Sequence, residues 1–253
     1  MKLMKLSLVV ALLAVTVSAA TKPAKKEKGD EKDPYGRTGM YAKLPVNGTN
    51  LVLNAEFKQG LKGWQITWPE TEMYRDNHKF LKAGTDQGRP CVLIDAPGSI
   101  LGNQGVRILT PFIKTEPGAT YVVAVDCLQG SCGFKVHAEA FVTDPRTNPP
   151  PDPDTFPAKD GLPPLLRCYR WKFPIQRAPK NWETVSREIT VPQTIEISVP
   201  KPGSGTGMDG KRADYSFKLV PPEYMAIRCV AISGGKDGHG AWTNFRIYKI
   251  KSE

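Results

Sequence analysis

The histidine and serine residues of this chain do not form a recognisable catalytic pattern. The chain has three histidines, which are too far apart in sequence for the close ligand spacing of a zinc site: His78, His137 and His239. Ser204 lies between two glycines but lacks the Gly-x-Ser-x-Gly spacing of a nucleophile elbow. These residues therefore predict no catalytic centre and no zinc centre.

Two other patterns suggest chemistry less directly. Gly205, Gly210 and Lys211 have the spacing of a phosphate-binding loop, but Arg212 stands where a magnesium-ligating Ser or Thr belongs, and no helix follows. We reject that interpretation. Acidic residues in predicted strands could supply the carboxylate pair of a glycoside hydrolase, although strand acids more often face solvent. These acids are Asp95, Asp126 and Glu139.

Five cysteines leave at least one thiol without an intramolecular partner. Cys127 and Cys132 flank a turn-like segment between two apolar runs, so they could form a disulfide across a hairpin in an oxidising compartment. Two interpretations remain for Cys91, Cys168 and Cys229: two of them pair, or all three are small buried apolar residues.

The first 20 residues have the pattern of a bacterial signal peptide. Lys2 and Lys5 form a positive start, residues 6–17 are almost wholly apolar, and Ser18-Ala19-Ala20 is a small-residue cleavage site. The apolar run is shorter than the ~20 residues that span a bilayer, so we predict no membrane span after cleavage. The pattern predicts a secreted, periplasmic or cell-envelope protein.

After residue 20, a change in amino-acid composition divides the chain into a predicted linker and a predicted domain. Residues 21–45 form a flexible charged linker, and residues 46–253 form the domain, with a proline-rich loop at 144–164. The formal net charge is +10, which falls by 2 on removal of Lys2 and Lys5. A basic exported protein favours anionic partners such as acidic or sulfated polysaccharide. No pattern indicates nucleic-acid binding.

The domain reads as an all-β fold. Short runs rich in β-branched and aromatic residues are separated by turn residues, in a chain with 23 Gly and 23 Pro. Phe217 and Leu219 alternate with polar neighbours, which predicts that they face a core. The predicted strands are Leu51–Phe57, Trp64–Trp68, Pro90–Ile94, Val106–Phe112, Thr120–Leu128, Gly133–Thr143, Leu165–Phe173, Glu183–Val191, Tyr215–Val220, Tyr224–Ile232 and Ala241–Ile250.

Four motifs occur in order along this domain. They are Asn54-Ala55-Glu56-Phe57 with Gly60-Leu61 and Gly63-Trp64, then Pro117-Gly118-Ala119-Thr120-Tyr121, then Asn181-Trp182-Glu183-Thr184-Val185-Ser186, and finally Ala241-Trp242-Thr243-Asn244-Phe245-Arg246-Ile247. Together they resemble the anchors of exported jelly-roll carbohydrate-binding modules of the galactose-binding-like superfamily, as in families four, nine and sixteen. The resemblance covers roughly residues 50–250 and concerns core and turn positions rather than a ligand site.

The resemblance implies a jelly-roll β-sandwich of two antiparallel sheets. It also implies that Trp64, Trp182 and Trp242 pack in the interior. A structural calcium would be held by Glu56 of the first motif and Asn244 of the last. Asn244 and the residue after it replace the paired aspartates of the family pattern, so this chain offers an incomplete calcium site.

The candidate ligand site rests on aromatic residues outside the four motifs. Tyr169, Trp171 and Phe173 share a strand face with Arg167 by period two, opposite Arg170. Either they are core residues, or Tyr169 and Trp171 form a platform on which a sugar stacks, with Arg170 nearby. Aromatics in a predicted loop could line the rim of the same site: Trp68 and Tyr74.

The leading functional hypothesis is an exported, non-catalytic carbohydrate-binding protein, for polysaccharides with anionic character. One alternative is a structural or adhesive envelope protein that uses the sandwich for protein contacts. Another is a small glycan-active enzyme with an unrecognised site. No cofactor is expected apart from the calcium, and the sequence does not specify an oligomeric state.

Overall fold

The computed structural model describes residues 42–66, 75–128, 130–143, 165–173, 181–200 and 215–250. The predicted signal peptide, most of the predicted linker and the proline-rich segment therefore lie outside the described residues. The elements of the described part are a 3-10 helix at Asn77–Phe80, β1 (Leu81–Asp86), β2 (Arg89–Ala96), α1 (Gly98–Leu101), β3 (Val106–Leu109), β4 (Ile113–Lys114), β5 (Thr120–Leu128), β6 (Gly133–Thr143), β7 (Leu165–Lys172), β8 (Glu183–Thr190), β9 (Ile195–Pro200), β10 (Tyr215–Val220), β11 (Tyr224–Ile232) and β12 (Gly238–Lys249).

Two antiparallel sheets enclose one core, which confirms the predicted β-sandwich. The first sheet has the strand order β1-β2-β12-β5-β8. The second has the order β3-β11-β6-β7, with β4 beside β11. Inward-facing side chains of both sheets form a single apolar cluster, and β9 and β10 form a separate two-stranded sheet. No described helix is long and apolar enough to cross a membrane.

Strand β5 shows why the sequence folds in this way. Tyr121, Val123, Val125 and Cys127 alternate along it and all lie in the core cluster, each at most 1% exposed. Burying a Val side chain contributes roughly 1.5–3 kcal/mol, so alternate apolar residues fix which face of the strand points inward. The predicted bounds of β5, β6, β10 and β11 agree with the structure.

The first motif is a loop rather than the predicted strand Leu51–Phe57. Asn54 and Phe57 both have positive φ, at 50° and 56°. The Asn54 amide donates to the carbonyl of Gly60 at 2.9 Å and accepts from Gln59 N–H at 3.0 Å, so the side chain stabilises a turn in place of a strand. Of the predicted strand Trp64–Trp68, the described residues 64–66 form a single bridge, between Gln65 and Leu109.

The loop nevertheless brings the first motif against the last. The ring of Trp64 lies 4.5 Å from Phe57 and 4.6 Å from Phe245, centroid to centroid. Trp64 and Trp242 are buried, as predicted, but Trp182 is only partly buried, and that expectation was wrong. The predicted turn after Pro117 is confirmed, since Gly118 has φ +82°.

A β-bulge in β7 changes which side chains share a face. Ala140 of β6 pairs with Tyr169, but Phe141 pairs with Arg167, so Cys168 is an extra residue in the ladder. The expectation that Arg167 shares a face with Tyr169 was therefore wrong. The extra residue moves Arg167 to the face of Arg170.

The β9–β10 hairpin was only half predicted, because β9 was not among the predicted strands, although Ile195, Ile197 and Val199 alternate with polar residues. Ile197 and Val199 of β9 pack on Val142, while β10 lies at the free edge of the pair. Phe217 is 67% exposed and Leu219 is 70% exposed, so the expectation that they face a core was wrong.

Candidate functional site

The second sheet carries a strongly basic outer face. Pairing registers place the same-facing side chains of β3, β11, β6 and β7 side by side, on the surface opposite the core. We call this surface the basic face. Its charged residues, all from described strands, are the cations Arg107, Lys135, Arg167, Arg170, Lys172 and Arg228 and the anion Glu139.

Glu139 is the centre of this face and is completely buried, at 0% exposure. Its Oε1 accepts from Arg170 Nε at 2.8 Å and lies 3.4 Å from Arg167 Nη1. Its Oε2 lies 2.9 Å from Arg228 Nη2, across the ladder to β11. The bulge at Cys168 makes this arrangement possible, because it puts both β7 arginines on the Glu139 side.

The charges on the basic face do not balance. One carboxylate serves three guanidiniums, and two further lysines, Lys135 and Lys172, are exposed beside them. Guanidiniums bind carboxylate and sulfate-like groups through charge-assisted hydrogen bonds. An anionic ligand would therefore relieve repulsion that Glu139 alone does not offset.

His137 lies on the same face and remains neutral at pH 7. Its pKa is lowered to about 4, first by burial and then by the positive charges of Arg170, Arg228, Lys172 and Lys135. In register it stands between Lys172 on β7 and Arg228 on β11. Burial, assisted by the surrounding cations, thus keeps the imidazole uncharged.

A cleft of about 370 Å³ opens next to His137 at the end of the β6–β7 ladder. Cationic residues form its polar side and two phenylalanines contribute to its apolar side. Its lining residues are Phe134, Lys135, Val136, His137, Arg170, Lys172 and Phe173. We call it the His137 cleft; a cavity of this size and charge suits a single anionic group of a larger ligand.

The predicted aromatic platform is not what the structure shows. Trp171 is 5% exposed and lies in the core, and Tyr169 is partly buried against that core. The two rings are 4.7 Å apart in an edge-to-face contact, as in a packed interior. Of the two alternatives, the structure shows the core arrangement. Arg170 is on the basic face, and Trp68 and Tyr74 lie outside the described residues.

A second cleft, of about 540 Å³, lies on the outer face of the first sheet around Asp126. Asp126 Oδ1 accepts from Thr184 Oγ1 at 2.6 Å and from Arg246, and its Oδ2 accepts from Asn244 Nδ2 at 3.1 Å. Nη1 of Arg89 lies 3.8 Å from the same Oδ2. This carboxylate is surrounded by hydrogen-bond donors, which engage both of its oxygens.

The calcium residues Glu56 and Asn244 both line this second cleft. Glu56, however, pairs with Lys58 at 2.6 Å, and two guanidiniums stand beside Asp126. Calcium prefers several oxygen ligands with net negative charge, and this charge pattern does not fit it. No group of three or more His, Cys, Asp or Glu placed to hold a metal occurs among the described residues.

The partly buried Trp182 lies near the second cleft. Its Nε1 donates to Asp86 Oδ2 at 3.0 Å, and the Arg89 guanidinium lies 5.7 Å from the ring centroid. Arg89 also lines the second cleft, so the cation–π contact connects Trp182 to that site.

Cys127 and Cys132 were predicted to form a disulfide, but in the structure both are free, buried thiols. Cys127 points into the core from β5, whereas the Cys132 thiol donates to the carbonyl of His239 at 3.3 Å. Burial raises the pKa of Cys127 well above its usual value and that of Cys132 to about 12. Both thiols are therefore protonated and unreactive in the folded state.

Sequence reasoning missed Glu139, Arg228 and Lys172 as a group of candidate site residues. A signal was available, since Arg228 interrupts the apolar run Met225–Ile232 and Glu139 interrupts the apolar end of β6. A charged residue in a central strand is either paired or functional. Their partnership depends on long-range register and on a bulge, which no local pattern reveals.

No protein-family model matches this chain. No curated protein matches it either. Solved structures with a similar fold include a family 16 carbohydrate-binding module, at 10% identity over 78% of this chain and 99% of the other, with a TM-score of 0.40. They also include a family 4 carbohydrate-binding module, at 11% identity over 79% of this chain and 99% of the other, with a TM-score of 0.40. A third is the enzymatically active domain of bacteriophage CBA120 tailspike protein 4, at 13% identity over 79% of this chain and 21% of the other, with a TM-score of 0.42.

Proposed function

We propose that this chain is an exported, non-catalytic carbohydrate-binding protein that binds an acidic polysaccharide on the basic face. The observation that carries the proposal is the excess of cations on that face, where only Glu139 opposes six positive side chains among the described strands. The choice of a carbohydrate rather than another polyanion follows the motif resemblance in the sequence.

The geometry suits a linear polyanion better than a small ion. The cations lie on four neighbouring strands, and adjacent strands are roughly 4.8 Å apart, so the positive charge extends across the sheet. An extended chain of uronates or sulfated sugars presents charges at repeated intervals and can contact several cations together. Because the binding is largely electrostatic, its affinity falls as salt is added.

The test uses lysines that can be changed without opening the Glu139 cluster. The double variant Lys135→Gln/Lys172→Gln removes two exposed charges of the basic face. We expect it to bind polygalacturonate at least tenfold more weakly than the native chain. Lys82→Gln, an exposed lysine on β1 in the other sheet, is the matched control and should bind normally. Equal affinity for the double variant and the native chain contradicts the assignment of this face.

A second candidate function, protein contact in an envelope or adhesive assembly, is favoured by one observation. The free-edge strand β10 exposes alternate apolar side chains, Tyr215, Phe217 and Leu219. Soluble monomers seldom expose contiguous apolar surface, and an edge strand can pair with another strand. Sedimentation of the native chain and of Phe217→Ser tests this: self-association lost in the variant supports the alternative, and a monomer at all concentrations removes it.

A further inference from the structure

The His137 cleft differs from the rest of the basic face because it contains a titratable group without a partner. His137 is 7% exposed, and its buried Nδ1 has no hydrogen-bond partner among the described residues. A buried polar atom without a partner costs free energy, commonly about 1–3 kcal/mol. His137 also lines the open cleft together with Lys135, Arg170 and Lys172, so an anion bound there would lie beside this imidazole.

We propose that the His137 cleft binds one anionic group of the polysaccharide, a carboxylate or a sulfate ester, and that His137 takes up a proton from solvent as that group binds. This inference rests on the proposed function, since it names the subsite and the regulation of the same face. The consequence is that the chain binds its ligand more tightly in mildly acidic surroundings.

The surroundings of His137 explain why the proton is absent before binding. Its own strand contributes Lys135 and Glu139, β7 contributes Arg170 and Lys172, and β11 contributes Arg228. On β3, Arg107 lies one strand farther, in register with Val230. The only carboxylate among these residues, Glu139, is already engaged by three guanidiniums. No negative charge is therefore left to stabilise an imidazolium.

An anion in the cleft would supply the negative charge that an imidazolium at His137 needs. It would contact Lys135, Lys172 and Arg170 and would neutralise part of the positive field at the imidazole. An opposite charge within about 4–6 Å raises a pKa by roughly 1–3 units. The bound state would then titrate about two units above the free state, in which the pKa is about 4.

The sign of the pH effect follows from these values. Between the raised pKa and the free pKa the complex holds a proton that the free protein does not. Falling pH therefore favours the complex by up to tenfold for each unit. With a rise of about two units, affinity should increase about tenfold between pH 7 and pH 5. It should be almost constant above pH 7.

Dextran sulfate is the appropriate probe because its sulfate esters stay ionised throughout this range. Its dissociation constant would be measured at pH 7, 6 and 5 at constant ionic strength, for the native chain, His137→Gln and His239→Gln. We expect about tenfold tighter binding at pH 5 for the native chain and for His239→Gln, a histidine on β12 of the other sheet. Binding by His137→Gln should not depend on pH.

Calorimetry in buffers of different ionisation enthalpy provides a second measurement that needs no variant. Uptake of a fraction of one proton per bound protein at pH 5 supports the inference, and no uptake overturns it. If the native chain binds dextran sulfate with the same affinity at every pH, the inference fails while the proposed function stands. If it binds neither dextran sulfate nor polygalacturonate, the proposed function fails as well.

Discussion

Nη2 of Arg228 lies 2.9 Å from Oε2 of Glu139, and this contact joins two strands across the outer face of the second sheet. Both residues are charged positions in otherwise apolar strands, and the presence of each explains why the other is tolerated there. A buried carboxylate requires a cation, and a row of guanidiniums in a sheet requires an anion. Glu139 is thus the structural support of the basic face, and the remaining positive charge is what a ligand would contact.

Replacing Glu139 should destabilise the protein strongly. Glu139→Gln leaves three guanidiniums facing one another without a counter-charge, and breaking a buried ion pair costs about 3–5 kcal/mol. Urea denaturation gives the free energy of unfolding. Glu188→Gln on β8, an exposed residue, is the control and should change stability by less than about 0.5 kcal/mol. Dextran sulfate should stabilise Glu139→Gln more than it stabilises the native chain. If Glu139→Gln without ligand is as stable as the native chain, the Glu139 cluster does not support the sheet.

Acid should weaken the fold partly through His137. The pKa of His137 is lowered to about 4 in the folded state, whereas an unfolded histidine titrates near 6.5. Between these values the unfolded chain binds the proton and the folded chain does not, so stability falls as pH decreases from about 6.5 to 4. The loss should be about 2 kcal/mol, with allowance for screening by solvent.

The matched variant for that measurement is His137→Gln, which cannot take up the proton. Its free energy of unfolding should decline less steeply over the same pH range, whereas that of His239→Gln should follow the native chain. Parallel curves for His137→Gln and the native chain would mean that the surrounding cations do not hold the imidazole neutral.

The Asp126 cleft should behave as a structural hydrogen-bond centre rather than as a metal site. Asp126→Asn weakens the contacts to Arg246 and Arg89, and hydrogen bonds to charged groups contribute roughly 1.5–3 kcal/mol. A melting-temperature decrease of several degrees is therefore expected, with exposed Asp95→Asn as the control. Millimolar calcium or a chelator should leave the melting temperature of the native chain unchanged. A calcium-dependent rise that Glu56→Gln abolishes would restore the calcium assignment.

The cysteine state is measured by alkylation. Under native conditions Cys168, which is partly exposed, should react first, although its pKa is raised to about 11. The fully buried Cys127 and Cys229 should react only after unfolding. Mass spectrometry of denatured, unreduced protein isolated from an oxidising compartment should show five alkylated thiols. Three alkylated thiols, with Cys127 and Cys132 blocked, would establish the disulfide predicted from the sequence.

Local sequence patterns were sufficient to predict a strand such as β5, in which alternate side chains face the core. Strand β5 could be predicted from its β-branched run, and the motif residues Trp64 and Trp242 are buried as the resemblance implies. The first motif is a loop because the amide of Asn54 stabilises a turn more effectively than local alternation stabilises a strand.

The site was harder to predict because it depends on long-range pairing. Tyr169 and Trp171 were candidates for an aromatic platform, but the interior between the sheets takes up both rings. Arg170 was identified for its proximity to those aromatics, yet its partner is Glu139, on the neighbouring strand. The bulge at Cys168 brings Arg167 into the cluster, and one extra residue in a ladder leaves no clear trace in a period-two pattern.

The most direct test compares dextran sulfate with uncharged dextran of the same length, using the purified chain from residue 21 onward at about 0.15 M salt. The two polymers share a backbone, so the difference in their dissociation constants measures the contribution of charge. The basic face predicts micromolar or tighter binding of dextran sulfate, weakened by added salt, and at least 100-fold weaker binding of dextran. Equal affinity for the two polymers, or no binding of either, would contradict the proposal that this protein binds acidic polysaccharide.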